Sequence, residues 1–348
     1  MTPWTDSPTL KIDHDLPPAQ RIAAIPEHAV TATLPLLHAI LREFPAPAKA
    51  IADLARIRTA NRFHAEAVAI GKRINLGWRP IILANICYDL ALAALGCSTV
   101  ALPTPTGPVL ARNMDWWPQD LLARATYRIE HQRKDCEGET GGIAYISAGF
   151  VGSIGIVTAC APNRFALALN AAICDHGHDP LGYPVLLFLR RVMDTAKDYD
   201  EASRMIREAR LAAPCIVTVV GTTNDQRIII EKSPNRMETR MAAAANQPLV
   251  ATNNFHVVQA NLVATARKGA DEIAVSCSTR YDRLAELAAA TDTTQSGLGD
   301  TLLHHLSDPD IIQSITAQHT VAQPSTGLMR VAVPSRLLDT EDAASTNA

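Results

Sequence analysis

The sequence predicts an α+β fold of four layers, α-β-β-α, entered through a helical N-terminal segment. Apolar residues recur at helical spacing through the first 96 residues, while from residue 97 onward short apolar runs alternate with Gly, Pro and Asn punctuation. Helical stretches return between and after those runs instead of following each strand, which is the order of two sheets packed together with helices outside. The 348 residues are 47% hydrophobic, enough to bury a sizeable core.

Taken in order, residues 31–44 place Leu34, Leu37, Ile40 and Leu41 on one helical face, and Pro45 and Pro47 end the run. A second helix is expected over 48–70. A third, strongly apolar, is expected over 81–95, with Ile82, Ile86, Leu90 and Ala94 four residues apart. It would deliver the chain to Gly96, a residue suited to ending a helix. Residues 97–102 and 109–115 read as strands around a Pro-rich turn, and 144–159 (broken by Gly149, Gly152 and Gly155) and 165–172 as further strands. Helices are expected over 184–196 and 199–211, the second opened by Asp198 and Asp200 and closed by Pro214. Residues 215–221, 227–232, 236–242 and 249–254 read as an antiparallel meander. Helices over 279–290 and 301–306, a strand over 327–333 and a polar tail from residue 338 complete the chain. No internal repeat or linker is visible.

Composition narrows the function. A net charge of −3 with 19% charged residues offers no basic stripe for a nucleic-acid partner. Seven cysteines, at 87, 97, 136, 160, 174, 215 and 277, lack CxxC spacing, against a disulfide framework or a structural zinc site. The apolar runs are too short to span a bilayer, and the first residues show no basic-then-apolar export signal. A reduced, cytoplasmic setting is the expectation.

The chemistry centres on Gly96-Cys97. If the flanking strands form a hairpin, Leu102 faces about Val109 and Cys97 about Met114. Arg112 and Asp115 then return to within a residue or two of the thiol. Two readings stand. Gly-Cys can be a tight entry into a buried strand, and Arg112 and Asp115 a surface ion pair worth little. Alternatively, the Cys97 thiol attacks the Gly96 carbonyl, and hydrolysis of the resulting thioester leaves Cys97 as a new N-terminus. Its own amine, with an unperturbed pKa of about 7.7–8.0, would then serve as the general base for a thiol nucleophile.

Further residues add a resemblance. Cys97-Ser98-Thr99 followed by Arg112-Asn113-Met114-Asp115 resembles the processing site of the acid ceramidase and N-acylethanolamine acid amidase family. These are N-terminal-nucleophile cysteine hydrolases of the choloylglycine hydrolase superfamily. Residues 12–18 (Ile-Asp-His-Asp-Leu-Pro-Pro) resemble the start of the family's small chain, and Asn85-Ile86-Cys87-Tyr88-Asp89-Leu90 its approach to the nucleophile. Residues 199–202 with 211–214, Thr252-Asn253 and Ser278-Thr279-Arg280 follow in matching order.

The resemblance implies autocleavage at Gly96-Cys97, separating 1–96 from a catalytic 97–348, with the two cleaved chains staying associated. It implies a linear N-acyl amide substrate, a Cys97 thioester and no cofactor or metal. Position by position, Cys97 is the nucleophile and Asp115 accepts a hydrogen bond from its new amine. Arg112 favours the thiolate, Asn253 is the oxyanion-hole amide and Arg280 a second arginine near the pocket. An oxyanion donor of this kind is worth about 2.7–4 kcal/mol. Trp116 and Trp117 are expected at an apolar lip and Asn170 at the substrate pocket. Ala171 stands where the family carries an acidic residue, with Asp175 as a substitute to consider.

Other readings remain. An acyltransferase of the penicillin-forming type would pass the same thioester to an amine. The cluster Cys174-Asp175-His176-Gly177-His178-Asp179 could ligate a metal in a hydrolase, given a third, distant ligand. A non-enzymatic lipid binder would use the apolar N-terminal helices, which would otherwise be core or a hydrophobic lip guiding an acyl chain into the site; peripheral lipid contact is a further expectation.

Overall fold

The computed structural model describes residues 3–44, 48–90, 95–136, 141–172, 174–259 and 270–338. Strands β1 (Trp4–Asp6) and β2 (Thr9–Asp13) open the chain. Helices α1 (Pro18–Ala23), α2 (Glu27–Arg42), α3 (Ala48–Arg58), α4 (His64–Arg73), α5 (Trp78–Asn85) and α6 (Cys87–Leu90) follow. The hairpin β3 (Leu95–Leu102) and β4 (Val109–Trp116) leads to α7 (Gln119–Ala125), β5 (Tyr127–Gln132), β6 (Ile143–Gly149), β7 (Thr158–Ala161) and β8 (Phe165–Ala171). Then come α8 (Val185–Thr195), α9 (Tyr199–Glu208), β9 (Cys215–Val220), β10 (Arg227–Lys232), β11 (Met237–Met241) and β12 (Leu249–Ala251). Helices α10 (Ala270–Ala290) and α11 (Leu298–Leu306) precede β13 (Thr316–Gln323) and β14 (Leu328–Pro334). The expected polar tail lies outside the described residues, apart from its first residue.

The strands form two sheets. One has six strands in the order β1-β14-β13-β4-β3-β12, the other eight in the order β11-β10-β9-β8-β7-β6-β5-β2. Their facing sides share a core that includes Ala101, Leu110, Ala166, Ala168, Ile216 and Val331. Its many alanines let the sheets approach closely. The outer face of the eight-stranded sheet packs on α8 and α9 through Leu167, Val217, Leu189 and Ile206. The outer face of the other sheet packs on α10 and α11 through Val100, Ala111, Leu284 and Leu303. The expected α-β-β-α layering is present. The helices before residue 90 add a separate core against α7 and the loop after β6, built on Leu37, Ile70, Ile82, Leu122, Phe150 and Ile154.

Several expectations need correction. The first segment is not helical throughout: β1 pairs with β14, and β2 runs parallel to β5, so its first residues join both sheets. Of the helix expected over 81–95, residues 91–94 lie outside the described residues, 87–90 form the separate short α6, and α5 stops at Asn85. That side chain donates to the Ile81 and Gly152 carbonyls (both 2.8 Å) and accepts from the Ile154 and Gly155 amides (2.6 and 2.8 Å). An Asn so fully used by a distant loop pins the helix end there. The chain is already extended at Leu95, so Gly96 lies inside a strand and caps no helix. Residues 249–254 do not continue the meander; β12 crosses to the other sheet and pairs with β3. Strands β5 and β13 and helix α7 were not anticipated. The hairpin register, by contrast, is as expected: Leu102 lies opposite Val109 and Cys97 opposite Met114.

Candidate active site

Strand parity organises the site. In the pairing of β3 with β4, Cys97, Thr99 and Ala101 share a face with Met114, Arg112 and Leu110, and Ala101 and Leu110 belong to the core between the sheets. Gly96 and Ser98 share the opposite face with Asp115 and Asn113, toward α10 and α11. Residues 112 and 115 are three apart on one strand, so they cannot both point at the thiol.

On the inner face, the Arg112 Nη2 donates to Cys97 Sγ at 2.9 Å, and its Nη1 donates to Thr158 Oγ1 at 3.0 Å. Both side chains are buried. Burial pushes the Cys97 thiol above its usual pKa; Arg112 opposes this and Asp115 adds to it. The thiol faces a cavity of about 20 Å³ bounded by Tyr88, Arg112, Met114, Trp116 and Leu186. That is room for one water molecule. A second small cavity shares Met114, Trp116, Val157 and Leu186 with it and runs toward Leu122 and Phe150.

On the outer face, Asp115 is fully buried. Its Oδ1 accepts from Thr316 Oγ1 at 2.6 Å, while Oδ2 has no hydrogen bond among the described residues and lies 3.9 Å from Arg280 Nη1. Burial raises the Asp115 pKa, with Arg280, Thr316 and Arg112 opposing. A β-carbon on Gly96 would fall 2.8 Å from Asp115 Oδ2 and 3.0 Å from its Cβ. Gly96 is therefore required by the carboxylate packed against it, not by an unusual backbone geometry.

The main chain of Cys97 is held from both ends. Its N–H donates to Asn253 Oδ1 at 3.0 Å, and its carbonyl accepts from Arg280 Nη1 at 2.6 Å. Arg280 Nη2 also donates to Asn253 Oδ1, at 3.0 Å, and Nη1 to Ser98 Oγ, at 3.0 Å. Asn253 Nδ2 donates to the Ala171 carbonyl at 2.8 Å. With two obligate donors on one end and a carbonyl on the other, the orientation of this amide is set by its partners. In the continuous chain, then, Asn253 Oδ1 grips the Cys97 nitrogen, and one of the two Nδ2 donors goes to Ala171. Arg280 is a fully buried residue inside α10.

The structure thus brings Cys97, Arg112, Asp115, Asn253 and Arg280 around the Gly96-Cys97 bond. It does not place all of the expected pocket residues there. Trp116 borders the cavity at the thiol, but Trp117 is 47% exposed. Asn170 lies behind the site: it accepts from Thr99 Oγ1 at 2.6 Å and donates to the Ala251 and Thr252 carbonyls. It braces β3 and β12 and, among the described residues, is not one of those lining the cavity at the thiol. At 174–179 two of the candidate ligands have partners outside the cluster: His176 meets Ser233 at 2.9 Å and Asp179 pairs with Arg210. Among the described residues, no three His, Cys, Asp or Glu side chains converge as a metal site. Thr158, Thr316 and Cys277, whose Sγ lies 3.3 Å from Arg280 Nη2, also belong to the site. Neither spacing nor residue type marked them.

The profile of the acyl-coenzyme A:6-aminopenicillanic acid acyl-transferase family matches residues 103–332. The chain belongs to that family. Among curated relatives, an N-acylethanolamine-hydrolyzing acid amidase of Caenorhabditis elegans is 25% identical over 207 residues, 55% of each chain. The acyl-coenzyme A:6-aminopenicillanic-acid-acyltransferase 40 kDa form of Emericella nidulans is 27% identical over 199 residues, 56% of this chain and 52% of that one. The chain therefore spans about half the length of the curated relatives it matches. Among solved structures, the C. elegans N-acylethanolamine-hydrolyzing acid amidase ortholog aligns with TM-score 0.50 and 21% identity, covering 66% of this chain and 93% of that one. This likeness establishes the shared fold. No helix among the described residues is long and apolar enough to cross a membrane.

Proposed function

We propose that this protein is an amidohydrolase that cuts its own Gly96-Cys97 bond and then cleaves a linear N-acyl amide through a Cys97 thioester. The observation that carries the reading is the convergence on one peptide bond of a thiol, a guanidinium on its sulfur and polar grips on its nitrogen and the following carbonyl. A merely structural cysteine needs none of these.

In the first step the Cys97 sulfur attacks the Gly96 carbonyl carbon, the C–N bond breaks, and the thiol proton ends on the Cys97 nitrogen. Arg112 favours the thiolate form, and Asn253 Oδ1 accepts from that nitrogen before and after the cut. Water then hydrolyses the thioester, leaving a Gly96 carboxylate and a free Cys97 thiol and amine. In turnover the sulfur attacks the substrate carbonyl, and the amine product leaves carrying a proton. Water next releases the acid. The Cys97 amine shuttles the protons. Among the described residues the cavity at the thiol has apolar walls at Met114, Trp116 and Leu186, which suit an acyl group.

Transfer of the acyl group to an amine instead of water is the second reading. The family profile and the Emericella nidulans relative favour it by name. Product analysis over time, with and without added amine, separates the two. Autocleavage itself is tested by denaturing electrophoresis and intact mass. The wild type is expected as fragments 1–96 and 97–348 and Cys97→Ala as an uncut chain; an active wild type of full length would rule out the N-terminal amine as base.

A further inference from the structure

We propose that Glu231 is a positioning residue for the Cys97 site, its carboxylate fixing the segment that carries Asn253 and the contact that seats Arg280. The proposal rests on the Cys97 chemistry above. Glu231 lies on β10, in the eight-stranded sheet, and is fully buried. A carboxylate in a sheet interior is expensive unless its lone pairs are met. Here they are met by the main chain that follows β12 of the other sheet. Oε1 accepts from the His256 N–H at 2.9 Å and from Arg240 Nε at 2.8 Å. Oε2 accepts from the His256, Val257 and Val258 N–H groups at 2.9, 2.9 and 3.0 Å. Three successive amides turned onto one anion form a nest, a conformation the segment holds only with the anion in place.

Asn253 sits between this nest and a second clamp. Upstream, Asn170 Nδ2 donates to the Ala251 and Thr252 carbonyls at 3.1 and 3.0 Å, and Arg240 Nη1 donates to the Val250 carbonyl at 2.9 Å. Only Asn254 and Phe255 separate Asn253 from His256, so a shift of the nest is passed directly to the amide that grips the Cys97 nitrogen. The same nest places the His256 ring 4.4 Å from that of Tyr281, the residue after Arg280. One carboxylate thereby sets both partners of the Cys97 main chain without touching a reacting atom.

The test uses the full chain with Glu231→Gln and Glu231→Asp, alone and with Asn253→Ala. The readouts are the rate of Gly96-Cys97 cleavage by intact mass, kcat and KM of cut protein on a fluorogenic fatty-acyl anilide, and thermal unfolding. Glu231→Gln, which loses the charge but keeps the shape, is expected to slow cleavage and lower kcat by roughly tenfold to a hundredfold, with KM nearly unchanged. Glu231→Asp, still an anion, is expected to recover part of the rate and to keep the test open should the Gln variant unfold. In the Asn253→Ala background the Gln substitution is expected to cost little more, since both act through the same amide. Wild-type rates in folded Glu231→Gln, or losses that multiply fully with Asn253→Ala, would overturn the positioning role. A wild type that neither cuts itself nor hydrolyses the anilide would instead overturn the Cys97 reading on which this role depends.

Discussion

At the scale of residues, the packing of Asp115 against Gly96 does most to explain the local sequence. A buried carboxylate with one oxygen lacking a donor among the described residues costs on the order of 1–3 kcal/mol, which the fold tolerates beside the bond proposed to break. Gly96→Ala would drive a methyl group into that carboxylate, 2.8 Å from its oxygen. We expect a folded chain whose self-cleavage slows at least tenfold, read by intact mass against time; unchanged cleavage would separate Asp115 from the reaction. Arg112 has a different signature. It lowers the Cys97 pKa against the upward push of burial. Arg112→Gln should therefore move the pH–rate profile of cleavage to higher pH, because a thiol without its cation yields thiolate only in more alkaline solution. Arg112→Lys should recover part of that shift, and an unmoved profile in the Gln variant would contradict the role. The sequence held the means to separate these two residues. A spacing of three on a strand puts them on opposite faces, so only one can meet the thiol.

At the scale of elements, what was legible follows the strength of local signals. The register of the β3–β4 hairpin was readable because its turn is dense in Pro and Gly, although the strands run on to Leu95 and Trp116 beyond their expected ends. Helix α9 was readable from its start, where Asp198 accepts from the Glu201 N–H at 2.8 Å. Strand β13 was not, although it lies between β14 and β4 and supplies Thr316 to Asp115. Its Thr316, Gln318, His319 and Thr320 are buried, and Thr316, Gln318 and His319 are each matched by a side chain, to Asp115, Thr126 and Asn113. Polar residues satisfied only by distant partners leave no apolar period to read. The crossing of β12 was hidden for another reason: its apolar residues read as a strand, but the sheet it joins depends on tertiary contacts such as that of Asn170, 81 residues away, with the Ala251 carbonyl. Asn170 should accordingly behave as a brace. Asn170→Ala is expected to lower thermal stability by several degrees while leaving KM for an acyl amide near wild type, whereas a pocket residue would raise KM.

At the scale of the whole molecule, the first 90 residues are woven through the rest. One strand enters each sheet, and Leu37, Ile70 and Ile82 pack on Leu122, Phe150 and Ile154. Fragments 1–96 and 97–348 are thus expected to co-elute in native gel filtration and to part only in denaturant. The seam between them also carries a pH response. His14 on the first segment meets His131 at 2.8 Å, and His131 meets Ser147 at 2.9 Å, beside the Arg21–Glu66 and Arg190–Asp194 pairs. Burial and then Arg190 lower the His14 pKa from 6.5 to about 4, and the same causes take His131 well below its usual value. Burial pushes Glu66 and Asp194 up, but Arg190 together with Arg21 at Glu66, and Arg190 together with Tyr145 at Asp194, bring both below their ordinary values. The unfolded chain takes up imidazole protons below pH 6.5 that the folded chain refuses. Stability should therefore fall from about pH 6.5 toward pH 4, by up to about 1.4 kcal/mol per pH unit for each imidazole. His14→Gln should remove one imidazole's share of that slope in denaturant titrations across this range. The central claim, that Cys97 is a nucleophile freed by its own cleavage, is met most directly by acid-trapping the protein during turnover of a fatty-acyl amide and weighing its chains. The account predicts an added acyl mass on fragment 97–348, mapped to its first residue. An adduct on an uncut chain, or on any other side chain, would contradict it.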